Sequence, residues 1–120
     1  MKEEDEKRLQ EQRNIWVATV RPDGRPHMTP VWFAFWMGRI YICISSRSVK
    51  ARNLESSAEI AVALENGNTP LIVEGEAELV LDPWPGEVAA IFQRKYNWDI
   101  NSDADYDLLV RIHPRKWLAW

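Results

Sequence analysis

Ile40-Tyr41-Ile42-Cys43-Ile44-Ser45-Ser46-Arg47-Ser48-Val49-Lys50-Ala51-Arg52-Asn53-Leu54 carries an apolar run into three closely spaced serines and then into a short helical segment. The run is apolar on both faces, which suits a strand covered on both sides. A strand end, a hydroxyl-rich turn and a helix start with Lys50 beside it form an anion cradle. Unpaired backbone N–H groups and the positive end of the helix dipole favour a phosphate there. From this stretch alone, any phosphate ligand would serve.

Upstream, Ile15 to Val20 reads as a strand, and Pro22-Asp23-Gly24 as a turn in which Pro presets φ and Gly takes a positive φ. A second strand is expected over Pro26 to Phe35, with Pro30 marking an edge or a bulge. Met37-Gly38-Arg39 then turns the chain into the strand Ile40 to Ser45. Residues 3–13 are polar helix formers with Leu9 the only strongly apolar position, so they read as a surface helix. Downstream of a helix at 48–55, Glu59 to Glu65 is apolar on both faces and reads as a strand buried on both. Leu71 to Leu81 alternates Val73, Gly75, Ala77 and Leu79 with Glu74, Glu76 and Glu78, one face in and one wet. Residues 87–98 have helical spacing, Tyr106 to Ile112 reads as a sixth strand, and Pro114 to Trp120 as an aromatic tail. Six short strands, turn signals between them and no βαβ rhythm predict a mainly β domain: a six-stranded antiparallel barrel with short flanking helices, spanning residues 1–120 as one unit.

Seven tryptophans in 120 residues exceed what one small core needs, so some are expected to line a ligand slot or a subunit interface. A net charge of −3 supplies no positive field to draw nucleic acid. A single cysteine excludes an intrachain disulfide and a cysteine-based metal cluster. No apolar run has the length of a membrane span. The expectation is a cytoplasmic protein with neither a membrane nor a nucleic-acid partner.

Ala18-Thr-Val-Arg-Pro-Asp-Gly24-Arg-Pro-His-Met-Thr-Pro-Val-Trp-Phe33 resembles the signature of the pyridoxamine 5′-phosphate oxidase-like, FMN-binding split-barrel proteins. Ser46 to Leu54 is similar to that family's S-x-x-x-K-x-x-N-L block, with Lys50, Asn53 and Leu54 in register. Val73 to Ala77 and Phe92 to Tyr96 are similar to its later VxGxA strand and F-x-x-K-Y helix. The resemblance implies a split β-barrel homodimer with flavin at the subunit interface. It places Met28, Thr29, Pro30, Val31, Trp32 and Phe33 beside the flavin ring, largely through backbone groups. It places Ile44, Ser45, Ser46, Ser48 and Lys50 around the phosphate. Arg52, two residues past Lys50, points to a different helix face and is expected to pair with a surface acid. In the oxidase proper an Arg precedes the phosphate Lys; here that residue is Val49. Arg111, Arg115 and Lys116 do not align with that enzyme's grip on substrate phosphate. The resemblance therefore points to the small FMN- or deazaflavin-dependent relatives.

The expected function is hydride transfer between bound FMN, or a deazaflavin coenzyme, and an unidentified small-molecule substrate. The competing reading is a non-enzymatic flavin- or haem-binding carrier or sensor on the same fold. Each residue also has a plainer role. Ser48 with Lys50 fits an ordinary helix cap beside a solvated lysine, His27 a packed or solvated side chain, and Cys43 a small core residue. The two histidines, His27 and His113, lack companions at metal-ligand spacing, so no metal site is expected. Among Trp32, Trp36, Trp117 and Trp120, Trp117 is the expected pocket wall, reaching in from a partner chain.

Overall fold

A computed structural model describes all 120 residues. Helix α1 (Glu3–Glu11) leads into β1 (Ile15–Val20), β2 (Pro26–Val31), β3 (Ala34–Trp36) and β4 (Arg39–Ile44). Then follow α2 (Val49–Ser56), β5 (Glu59–Leu64), β6 (Leu71–Val80), α3 (Gly86–Tyr96), a 3-10 turn (Ile100–Ser102) and β7 (Leu108–Ala119). All pairings are antiparallel, in the order β2-β1-β5-β6-β7-β4-β3. The two edge strands of this sheet are consecutive in sequence, joined only by Trp32 and Phe33. Two residues and their flanking bonds span roughly 10 Å, so the sheet must curl until its edges nearly meet. It is a barrel left open along one seam, mainly β, with three flanking helices. No helix is long and apolar enough to cross a membrane.

Seven strands replace the six expected, because the strand read over Pro26 to Phe35 is broken at Trp32–Phe33. The cause is local and visible. The N–H of Phe33 donates to Tyr96 Oη at 3.1 Å and its carbonyl accepts from Lys95 Nζ at 3.1 Å. Helix α3 takes the backbone bonds that a neighbouring strand would otherwise take. The expected aromatic tail is also wrong: β7 continues to Ala119 through Pro114. A register shift between Glu74 and Gly75 accommodates that proline. A Cβ on Gly75 would lie 2.2 Å from the His113 carbonyl oxygen, so only glycine permits this approach.

The turns follow their residue types. Gly24 sits at φ 91, and its N–H donates to Arg21 O at 2.8 Å. Met37 at φ 51 and Gly38 at φ 75 make the two-residue β3–β4 hairpin, which needs positive φ at both central positions. Helix α3 ends at Tyr96, two residues before the expected Trp98, because Asn97 adopts the left-handed conformation at φ 53.

The barrel interior is filled by Ile15, Val17, Ile40, Ile42, Ile44, Val62, Leu64, Val73, Val110 and Ile112, with Phe33 and Phe35. Leu9 of α1 is buried among them, so this polar surface helix is pinned to the core by one residue. A second core lies outside β3, β4 and β7. There Ala34, Tyr41, Cys43 and Leu109 pack beneath Val88, Phe92 and Tyr96 of α3 and Ile100. The outer face of β5 is not buried as expected: Ala61 and Ala63 remain half-exposed, because no other part of the chain lies over them.

Candidate functional site

A cleft of about 430 Å³ opens at the barrel seam. One wall is the end of the β1–β2 ladder with Asn14 and Trp32. Another is the end of β4 and the start of α2. The third is the segment between α3 and β7, which contributes Trp98, Asp103 and Tyr106.

The serine turn is fixed by its own hydrogen bonds. Ser48 caps α2 by accepting from Ala51 N at 3.1 Å, while its hydroxyl donates to Ser45 O at 2.7 Å. The backbone N–H of Ser46 donates to Asp107 Oδ1 at 2.8 Å, and its hydroxyl to Oδ2 at 2.7 Å. These bonds hold the Asp107 carboxyl below its usual range. Ser45 Oγ accepts from Arg47 N at 3.2 Å, which leaves its own proton free. Of the three serines, Ser45 therefore has an uncommitted donor facing the cleft, Ser48 lines it with its proton in use, and Ser46 faces Asp107 instead. The N–H groups of Val49 and Lys50, the first two residues of α2, have no intrachain acceptor.

Lys50 Nζ donates to Thr29 Oγ1 of β2 at 3.1 Å. No carboxylate lies within ion-pair distance of this ammonium. Burial lowers its pKa. A half-buried cation with one neutral partner, two remaining donors and two free amides of the same helix start has the chemistry to accept an oxyanion. Arg52 is exposed and makes no ion pair, so the surface acid expected for it is absent. Asn53, the other polar residue of this helix motif, is buried and donates to Thr19 Oγ1 at 3.0 Å, tying α2 to β1.

The opposite wall is aromatic. The Trp32 indole stacks on Tyr96 with centroids 4.5 Å apart and an interplanar angle of 8°. Trp98 meets Trp32 edge-on at 5.7 Å and Tyr106 at 5.4 Å, and its Nε1–H donates to Asp103 Oδ2 at 2.9 Å. Cys43 forms part of the floor; burial, with the negative charges of Asp103 and Asp107, pushes its thiol up to about 12. It is an inert neutral group at physiological pH.

Of the residues predicted from sequence, Pro30, Val31, Trp32, Ile44, Ser45, Ser48 and Lys50 line this one cleft. Thr29 joins it through Lys50. Met28 does not, since it points outward and is 62% exposed. Phe33 is buried in the barrel. Trp117 is half-buried against the same core, edge-on to Phe35 at 6.5 Å. Asn14, Cys43, Trp98, Asp103 and Tyr106 were missed. Only the surplus of tryptophans hinted at Trp98. Arg111 and Arg115 are held by Glu78 and by Glu59 with Glu76 on the outer sheet face. His27 lies on the inner face of β2, its buried Nδ1 without a partner and its pKa lowered by burial and by the charges of Arg21 and Lys50.

The family model described as pyridoxamine 5′-phosphate oxidase matches residues 1–120. Among solved structures, HutZ, the haem storage protein from Vibrio cholerae, superposes with a TM-score of 0.82 at 21% identity, covering 98% of this chain and 93% of that one. A conserved hypothetical protein from Mycobacterium tuberculosis gives 0.80 at 27% identity, covering 100% and 84%. An F420 reductase gives 0.76 at 23% identity, covering 94% of each chain. No curated protein matches in sequence.

Proposed function

The chain belongs to the pyridoxamine 5′-phosphate oxidase family, and from that premise we propose that its cleft binds FMN, or a deazaflavin coenzyme, and serves hydride exchange with a small-molecule substrate. The observation that carries this reading is Lys50: a half-buried ammonium without a counter-ion, beside the free Ser45 hydroxyl and the first amides of α2. In this reading those groups hold the phosphate. Trp32, Trp98 and Tyr106 supply flat apolar surface for the ring at the other end. A bound flavin would supply the redox chemistry; the chain's contribution is grip, orientation and exclusion of water. Val49 stands where the oxidase proper has an arginine, and Arg111 and Arg115 are committed to outer-face ion pairs. Both points favour an activity other than oxidation of pyridoxamine phosphate.

The same proposal includes a homodimer. Pro26, Met28 and Pro30, then Trp16, Ala18 and Val20, then Ala61 and Ala63 lie side by side on the outer face of β2, β1 and β5 by register. Trp16, Val20 and Met28 are exposed large apolar side chains. Such a face suits a second copy of this chain.

A second reading, a haem-binding carrier, is favoured by the likeness to a haem storage protein. Against it, no histidine lines the cleft, and Cys43 holds its proton up to about pH 12. The absorption spectrum of the purified protein separates these readings, followed by titration with FMN. Two flavin bands, or a single deazaflavin band, are the expected outcome. A Soret band with no flavin uptake would select the haem carrier. Acceleration of reduced-flavin reoxidation by candidate acceptors would then distinguish an enzyme from a flavin carrier.

A further inference from the structure

The F-x-x-K-Y end of α3 lies outside the cleft, yet its last two side chains hold both chain segments that form one wall of it. Tyr96 Oη donates to Arg13 O at 2.7 Å and accepts from Phe33 N at 3.1 Å. Arg13 immediately precedes Asn14, and Phe33 immediately follows Trp32; Asn14 and Trp32 line the cleft from the two strands of one ladder. Lys95 Nζ donates to Phe33 O at 3.1 Å and lies 3.7 Å from the centroid of the Phe33 ring. The Arg13 guanidinium donates to Lys95 O at 2.7 Å and sits 4.9 Å from the centroid of the Tyr96 ring. The ring itself is the surface on which Trp32 stacks.

We propose that Tyr96 and Lys95 are positioning residues of the cleft: together they fix the Arg13–Asn14 and Trp32–Phe33 segments, and so set the spacing and tilt of the aromatic wall. The alternative, that they merely support the core, fits Lys95 poorly. Burial draws its ammonium down to about 8, with the charge of Arg13 adding to the effect. No carboxylate pairs with it. A core selected for stability alone would hold methionine or leucine here, since a partly buried cation without an ion partner is destabilising. The lysine gives the backbone carbonyl of Phe33 a strong, oriented donor, which no apolar residue can.

The consequence for ligand affinity rests on the flavin reading above; the positioning itself does not. The test therefore has a ligand-free arm. The protein and its Y96F, K95M and K95R variants are labelled with 5-fluorotryptophan, and the Trp32 fluorine resonance is assigned by W32F. Y96F and K95M are expected to shift or broaden the Trp32 line, while K95R, which keeps a charged donor, restores it. The melting temperature of K95M should be unchanged or higher. Titrated with FMN, Y96F and K95M should bind about tenfold more weakly, on the scale of one hydrogen bond to a charged or buried group, with K95R close to the parent. A Trp32 line that superposes in all variants overturns the proposal, as does a K95M that melts lower with Trp32 unmoved. Equal, measurable FMN affinity across the set overturns it too. Displacement of Trp32 in Y96F, with FMN bound by none of the proteins, upholds the positioning role and removes the flavin reading instead.

Discussion

Outside β4, Tyr41 and Cys43 are sealed beneath Phe92 of α3, whereas outside β1 the same alternation leaves Trp16 and Val20 in solvent. Both strands belong to one sheet and both turn buried side chains inward, Ile40, Ile42 and Ile44 from β4 and Ile15, Val17 and the hydrogen-bonded Thr19 from β1. The difference is what the chain itself supplies. One half of the outer surface receives α3 and the 3-10 turn; the other, over β2, β1 and β5, receives nothing. A 120-residue chain has helices enough to cover one outer face, and the second is the face proposed above for a second copy. The cleft lies at the seam, where β2 from the bare half meets the end of β4 from the covered half and the start of α2.

The largest effect should separate the two halves directly. Phe92→Ala opens a cavity in the covered half and should cost about 3–5 kcal/mol, measured by denaturant unfolding. Trp16→Ala on the bare face should change the unfolding free energy of the isolated chain by no more than about 1 kcal/mol. Comparable losses at the two sites would mean that the bare face is packed after all.

The alternation of apolar residues made the interior of this fold readable, because it is imposed strand by strand. Ile40, Ile42 and Ile44 point inward whatever lies outside. What could not be read were features imposed from far along the chain. Pro30 signals an edge or a bulge, but nothing in Met28 to Phe35 places a break at Trp32–Phe33; the break comes from Lys95 and Tyr96, more than sixty residues downstream. Pro114 reads as a strand end until Gly75, on the partner strand, makes room for the His113 carbonyl. The site divides in the same way. Ser45, Ser48 and Lys50 sit within one local motif and were legible together. Trp98, Asp103 and Tyr106 reach the cleft only because Asn97 ends α3 at a left-handed turn and the chain then bends back. The homodimer and the partner-borne role of Trp117 would need the bare face covered, and the chain alone holds Trp117 against its own Phe35.

Next in size is the seam. Lys50→Ala removes the one charged donor of the proposed phosphate site, worth about 1.5–3 kcal/mol for a bond to a charged group. That corresponds to FMN binding weakened roughly 10- to 100-fold. The ammonium lies in neither packed half, so the unfolding midpoint should hold; an FMN affinity equal to the parent's would remove Lys50 from the phosphate site. Smaller still for the single chain is Ala61→Arg on the bare face, flanked by Ala18 and Glu74. Its effect on unfolding of the monomer should stay within about 0.5 kcal/mol, while sedimentation should show the proposed dimer dissociating. A dimer that survives this charge would place the subunit contact elsewhere.

The last expected effect is a pH dependence confined to the covered half. Lys95 has a folded pKa near 8 against an ordinary 10.5. Between these values the unfolded chain binds more protons than the native one, so stability rises with pH over that window. The group is only partly shielded, and solvent screening reduces the gain to about 1 kcal/mol. Cys43 acts in the opposite sense. Its thiol keeps its proton to about 12 in the fold but titrates near 9 when exposed, so stability falls as pH climbs beyond 9. Tyr96, raised from 10 to about 12 by burial, adds to that fall. The two opposing trends produce a shallow maximum near pH 9. In Lys95→Met the rise between pH 8 and 9 should vanish while the fall above 9 remains. A rise that persists without Lys95 would assign it to another group and leave the covered half electrostatically no different from the bare one.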